Sequence, residues 1–213
     1  INVFATQGNI SGLQRSLLNS VAVSGAKVGS GNGGDIRLEA QTSINNLEIL
    51  TQSSNGQAGE VQIHGFGDLS ISNTQISTSQ TVNIENPLQL GTVIFDIGQV
   101  GQSGAVTVTG VGNLTFNNTA IQSATQGSDP AGNVTISSPN LVTFANSQII
   151  SNTSSTGQAG DIGITAGQQI ILTNGSQLSA RTTSVGQAGD ITLNAPLLTI
   201  AGNAQVLAET QGS

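Results

Sequence analysis

The residues able to do chemistry in this chain are few. There is one histidine, His64; Cys, Met, Trp and Tyr are absent; and four Lys+Arg stand against eleven Asp+Glu. The basic residues Arg15, Lys27, Arg37 and Arg181 are scattered. The acidic ones are better organised. Asp161 and Asp190 each precede an Ile in two copies of one short phrase, and Asp35 and Glu60 hold the same place earlier. Stacked carboxylates offer the oxygen ligands that Ca²⁺ takes. Asn133 and Ala105 interrupt the series, however, and a short polar side chain at such a point caps a turn through its own backbone amides. Capping is therefore the expected role. Asp161 and Asp190 are the sole metal candidates, and no catalytic, cofactor-binding or metal site is expected. His64 follows the pair Val61/Ile63 at the start of an expected turn; without Cys or a second His it reads as a solvated turn residue.

Composition narrows the classes further. Charged residues make up 7% of the 213 residues, against about 25% in an ordinary domain. The lack of Cys excludes a disulfide scaffold, a thiolate zinc site and thiol redox chemistry. A net charge of −7 leaves no basic patch for nucleic acid. No apolar run approaches the roughly 18 residues of a membrane span. The triplets beginning at Asn113, Asn133, Asn152 and Asn174 match glycosylation acceptors, as chance provides in a chain this rich in Asn, Ser and Thr.

The elements that must carry these residues are repeats. Gly34-Asp35-Ile36-Arg37-Leu38, Gly59-Glu60-Val61-Gln62-Ile63, Gly104-Ala105-Val106-Thr107-Val108, Gly132-Asn133-Val134-Thr135-Ile136, Gly160-Asp161-Ile162-Gly163-Ile164 and Gly189-Asp190-Ile191-Thr192-Leu193 are one phrase written repeatedly. Thr81-Val82-Asn83-Ile84 reads as a further copy that has lost its glycine. Two more alternating stretches follow each phrase. One is exemplified by Leu114-Thr115-Phe116 and Val142-Thr143-Phe144; the other begins at Ile76, Phe95, Ile121, Ile149, Leu178 or Val206. Period-2 alternation between turn formers is a strand signal. Only Gln14–Asn19 suggests a turn of helix.

Three short strands per repeat, without helices, predict an all-β parallel β-helix of about seven coils of 21–29 residues. Residues 1–32 are expected to be an irregular partial coil, and 33–213 the repeat domain. Like strands would stack about 4.8 Å apart, giving a rod of roughly 35 Å. The inward ladder is aliphatic, from Ile36/Leu38 to Ile191/Leu193, and Phe116 should stack on Phe144. Stacking also explains the missing charge: a column of like charges at this spacing repels by roughly 1 kcal/mol per pair even in water. Outward positions hold Gln62, Thr107, Thr135, Thr192, Ser70, Thr115, Thr143 and Thr199 instead. The outward apolar residues Leu50, Ile150, Ile171 and Leu207 are few and scattered, and are at most small sticky patches.

Gly157-Gln158-Ala159-Gly160-Asp161-Ile162 and Val185-Gly186-Gln187-Ala188-Gly189-Asp190-Ile191-Thr192-Leu193, with Leu198-Thr199-Ile200 and Ala204-Gln205-Val206, resemble the repeats of filamentous-haemagglutinin-like exoproteins of the cyanobacterial type. The resemblance runs from about Gly33 to Ser213. It implies a right-handed β-helix and two-partner secretion through an outer-membrane pore. It further implies a secreted, cell-surface product acting in adhesion, aggregation and biofilm formation. The Asn-Pro-Asn-Gly and Asn-Pro-His-type motifs of that family's secretion domain do not occur, so the chain reads as repeat body or its end.

The expected function is thus a non-enzymatic extracellular structural or adhesive rod segment. Its partners would be cell-surface molecules or copies of itself, end to end or lateral, with no nucleic acid. The alternative is a carbohydrate-binding β-helix of a phage tail spike or polysaccharide-active protein; the lack of Trp and Tyr removes the usual aromatic sugar platforms. Pectinase-like hydrolases carry Asn-Thr-Asp, Asp-Asp, Gly-His-Gly and Arg-Ile-Lys, none of which occurs. An ice-binding face would need regular Thr-x-Thr rows; Thr107/Thr109 and Thr135/Ser137 begin one that Gly163 and Asn194 break. The chain opens at Ile1 without Met, and its last residues, Thr210-Gln211-Gly212-Ser213, match the loop Thr125-Gln126-Gly127-Ser128. A segment of a longer array is expected, with more repeats or a cap after Ser213.

Overall fold

The structure is a computed structural model and describes residues 1–5, 7–20, 32–51, 53, 56–78, 102–125, 127–154 and 156–211. The chain opens with β1 (Asn2–Ala5) and β2 (Ile10–Asn19), followed by β3 (Ile36–Ala40) and β4 (Ser43–Leu50). Then come β5 (Val61–Gly65), β6 (Leu69–Ser72) and β7 (Gln75–Ser77), and β8 (Val106–Gly110), β9 (Leu114–Asn117) and β10 (Ala120–Gln122). The stack continues with β11 (Val134–Ser138), β12 (Leu141–Ala145) and β13 (Gln148–Ile150), and with β14 (Ile162–Ala166), β15 (Gln169–Thr173) and β16 (Gln177–Ser179). It closes with β17 (Ile191–Asn194), β18 (Leu197–Ile200) and β19 (Gln205–Leu207). Among the described residues there is no helix, and so none long and apolar enough to cross a membrane.

Every strand pairs in parallel with its counterpart in the next coil, which makes the chain a parallel β-helix. The first strands form a seven-stranded sheet, β1-β3-β5-β8-β11-β14-β17. The second and third strands form two further faces joined through β4, which pairs with β6 at one end and β7 at the other. Seven rungs span roughly 30 Å. Five coils have three separate strands; in the coil before them β4 serves as second and third strand together.

Two expectations need correction. The rung expected at Thr81–Ile84 lies outside the described residues, and among the described residues no strand stands between β5 and β8 in the first sheet. Val61 pairs directly with Val106, β6 with β9 and β7 with β10. Adjacent rungs are therefore 45 residues apart at this point, and the 21- and 24-residue repeats are withdrawn. The seventh strand of the first sheet is β1, paired Asn2↔Arg37 through Ala5↔Ala40. The second correction concerns Gln14–Asn19, which is part of β2 rather than a helical turn. β2 pairs with β4 through a register shift between Ser11 and Ser16.

The core is the aliphatic ladder. Ile36, Leu38, Val61, Ile63, Val106, Val108, Val134, Ile136, Ile162 and Ile164 are buried in register. Burying each such side chain contributes roughly 1.5–3 kcal/mol. Phe116 and Phe144 stack as expected, with ring centroids 4.7 Å apart and planes 13° from parallel. In β17–β19 the corresponding residues are more open: Leu198 is 44%, Ile200 47% and Val206 37% exposed, because no rung covers them here.

The glycine of the repeated phrase has a steric cause. A Cβ on Gly132 would lie 2.2 Å from the carbonyl oxygen of Gly104, and one on Gly189 would lie 2.2 Å from that of Gly160. The backbones pass too closely here for any side chain. Hydroxyls fill the corner beside this column. Thr78 donates to Gly104 O (2.6 Å), Ser151 to Gly132 O (2.9 Å), and Thr51 to Gly59 O. A buried carbonyl left unpaired would cost about 1–3 kcal/mol, so Thr and Ser are needed inside. The loop column Thr125↔Thr153↔Thr182↔Thr210 pairs in parallel and places Thr125 and Thr210 at equivalent positions.

Candidate functional site

The carboxylates are brought together in a column, and Asp35 and Asp161 are used as caps. The Asp190 amide donates to Asp161 Oδ1 (2.9 Å), the Asp161 amide to Asn133 Oδ1 (2.8 Å), and the Glu60 amide to Asp35 Oδ1 (2.9 Å). Capping is the expected role, but its direction differs. Asp35, Asn133 and Asp161 each cap the amide of the next coil and not their own turn, because backbone amides in a parallel stack point along the stack. Asn133 takes the same part as Asp161, so a carboxylate is not required there. Among the described residues no group of three or more His, Asp or Glu side chains converges in a metal-binding arrangement.

His64 is corrected from turn to strand. It lies within β5, half-buried, with Nδ1 2.8 Å from Thr109 Oγ1 in the next coil. Its ring meets Phe66 edge-on at 4.9 Å and 81°. Glu39 is its register neighbour on the other side. That carboxylate is held by Arg37, at 2.6 Å from a terminal guanidinium nitrogen and 2.8 Å from Nε. Arg181 pairs with Glu209 across coils at 3.1 Å, while Lys27 lies outside the described residues. On the same face, Thr107/Thr109 stand beside Thr135/Ser137, and Gly163/Thr165 and Thr192/Asn194 follow. Gly163 interrupts any flat hydroxyl array.

A different feature escaped the sequence reading. Between second and third strands the six coils from β3–β4 onward each turn on an asparagine with positive φ: Asn46, Asn73, Asn118, Asn146, Asn174 and Asn203, at 48° to 62°. Asn is favoured there because its short amide tolerates the left-handed region. The amides also join along the stack. Asn118 Nδ2 donates to Asn73 Oδ1 (2.8 Å), and Asn146 Nδ2 to Asn118 Oδ1 (3.2 Å). The signal was present: an Asn stands two residues before Glu48, Gln75, Ala120, Gln148 and Gln205.

This amide column lines an open hollow of about 550 Å³, from Asn46 through Asn73 and Asn118 to Asn146. Its side is made by the third strand, where Gln75, Ala120 and Gln148 are register partners. Ala120 stops at Cβ between two long amide side chains, and that missing volume opens the hollow. At the next coil the turn lengthens to Asn174-Gly175-Ser176 between β15 and β16, and these residues are not among those lining the hollow. Comparison with protein-family models, curated proteins and solved structures returns no match to this chain.

Proposed function

We propose that the chain is a structural and adhesive rod segment of a secreted surface filament or adhesin, without catalytic activity. The observation that supports this most is the register. From β3 onward, outward positions of paired strands lie directly above one another, so the surface is built of columns. Thr107, Thr135 and Thr192 share one such column, and Ser70, Thr115, Thr143 and Thr199 another. A rod with columnar surfaces rich in hydroxyl and amide side chains can meet many similar contacts along its length. The resemblance of its Ala-Gly-Asp-Ile phrases to filamentous-haemagglutinin-like exoproteins agrees with this. That family supplies the further expectations of two-partner secretion and a cell-surface location.

Antibody raised against the purified chain and applied to intact cells of the source organism tests the proposal. Labelling of intact cells, and weaker cell–cell aggregation when the gene is disrupted, is the expected result. Labelling only after lysis, or unchanged aggregation, would overturn it.

A further inference from the structure

The hollow along the asparagine turns has one feature that folding alone does not require. Positive φ explains Asn at Asn73, Asn118 and Asn146, and the second row of amides, Gln75 and Gln148, continues along the stack as Gln177 and Gln205. Neither explains Ala120 between Gln75 and Gln148, which replaces a long side chain by space.

We infer that this hollow is a binding site for a neutral polyhydroxylated chain, a glycan of uncharged pyranose units. Each primary amide has two N–H donors and an oxygen with two lone pairs. Within the ladder Asn118 spends one donor on Asn73 and one lone pair on Asn146. A donor and an acceptor remain on the same side chain, the pairing that neighbouring sugar hydroxyls satisfy. The ladder fixes these amides before any ligand arrives, which lowers the ordering cost of binding. The rungs repeat at about 4.8 Å, comparable to the length of a pyranose unit, so successive amides can meet successive sugars. Charge selects against other ligands. The Asn, Gln, Thr and Ala side chains lining the hollow carry no charge, and the net charge of −7 disfavours polyanions. Ala120 supplies an apolar spot for a ring C–H face. The site needs no aromatic platform because several fixed amides act together.

This names a ligand class for the adhesive reading above and rests on it for its biological setting. The test uses the purified chain. Failure of the cell experiment leaves the binding claim standing, and failure of the binding experiment leaves the adhesive reading standing. The ¹⁵N-labelled chain is titrated with cellohexaose, maltohexaose and mannohexaose, and with a hyaluronan hexasaccharide as the anionic comparison. Saturable shifts of side-chain amide signals are expected with at least one neutral hexasaccharide, with binding at least tenfold weaker for the anionic one. Asn118→Gly keeps the positive φ accessible and removes the amide; it should weaken binding about tenfold. Gln148→Ala, on an outward strand position, should weaken it severalfold. Asn203→Gly, the same change outside the hollow, should leave it unaltered. The inference is overturned by the absence of saturable shifts with all three neutral sugars. Equal binding of the anionic sugar, or unchanged binding in both Asn118→Gly and Gln148→Ala, overturns it as well.

Discussion

Asp161 shows how far a single residue can be read. Its type and its place before Ile162 suggested a cap or half of a calcium site, and the geometry makes it the cap of Asp190. What matters is therefore an oxygen acceptor, as Asn133 demonstrates one coil earlier. Asp161→Asn should leave the melting temperature unchanged or slightly raised, since it keeps the acceptor and removes a like-charge neighbour of Asp190. Asp161→Ala should cost about 1 kcal/mol, or about 2–4 °C in a chain of this size. EDTA should shift neither variant nor parent. A chelator-induced fall of many degrees, reversed by Ca²⁺, would instead make Asp161 and Asp190 ligands. The direction of the cap was not legible, because it depends on which backbone amide lies above the side chain. The partner of His64 was hidden for the same reason: Thr109 is 45 residues away.

The strands were the most legible elements, because period-2 alternation maps directly onto two faces. Val134, Ile136 and Ser138 are buried while Thr135 is exposed. Ile136→Asp would place a charge in a dry ladder between Val108 and Ile164, at a cost of several kcal/mol. Thr135→Asp, one residue away, should be mild. Thermal melts of the two variants check this, and equal shifts would mean that the face assignment is wrong. Two kinds of element escaped. β2 carries the irregular pattern Ser16-Leu17-Leu18-Asn19, which lacks the alternation of its neighbours and pairs only through a register shift. The asparagine turns carry no alternation of their own; their alignment into a column appears only once the coils are superposed.

At the scale of the whole molecule the repeated phrase was enough to specify a parallel β-helix, since three short strands per repeat leave few other ways to bury an aliphatic face. The number of coils was less secure. Thr81-Val82-Asn83-Ile84 has the alternation of a first strand but lacks the glycine, and it is the glycine that close stacking demands. Where that residue is missing, the next rung begins at Val106. The central claim is one uninterrupted stack, with the coil of β5–β7 seated directly on that of β8–β10. Its most direct test replaces residues 79–101 with the shorter stretch Ala124–Asp129, which joins the equivalent points one coil later. Shortening the connection between two directly paired coils lowers the entropy cost of closure. The replaced chain should therefore fold cooperatively and melt no lower than the parent, with unchanged amide chemical shifts in Val61–Thr78 and Val106–Ser123. Loss of cooperative folding, or altered shifts throughout those two coils, would show that a rung had been removed and would contradict the account.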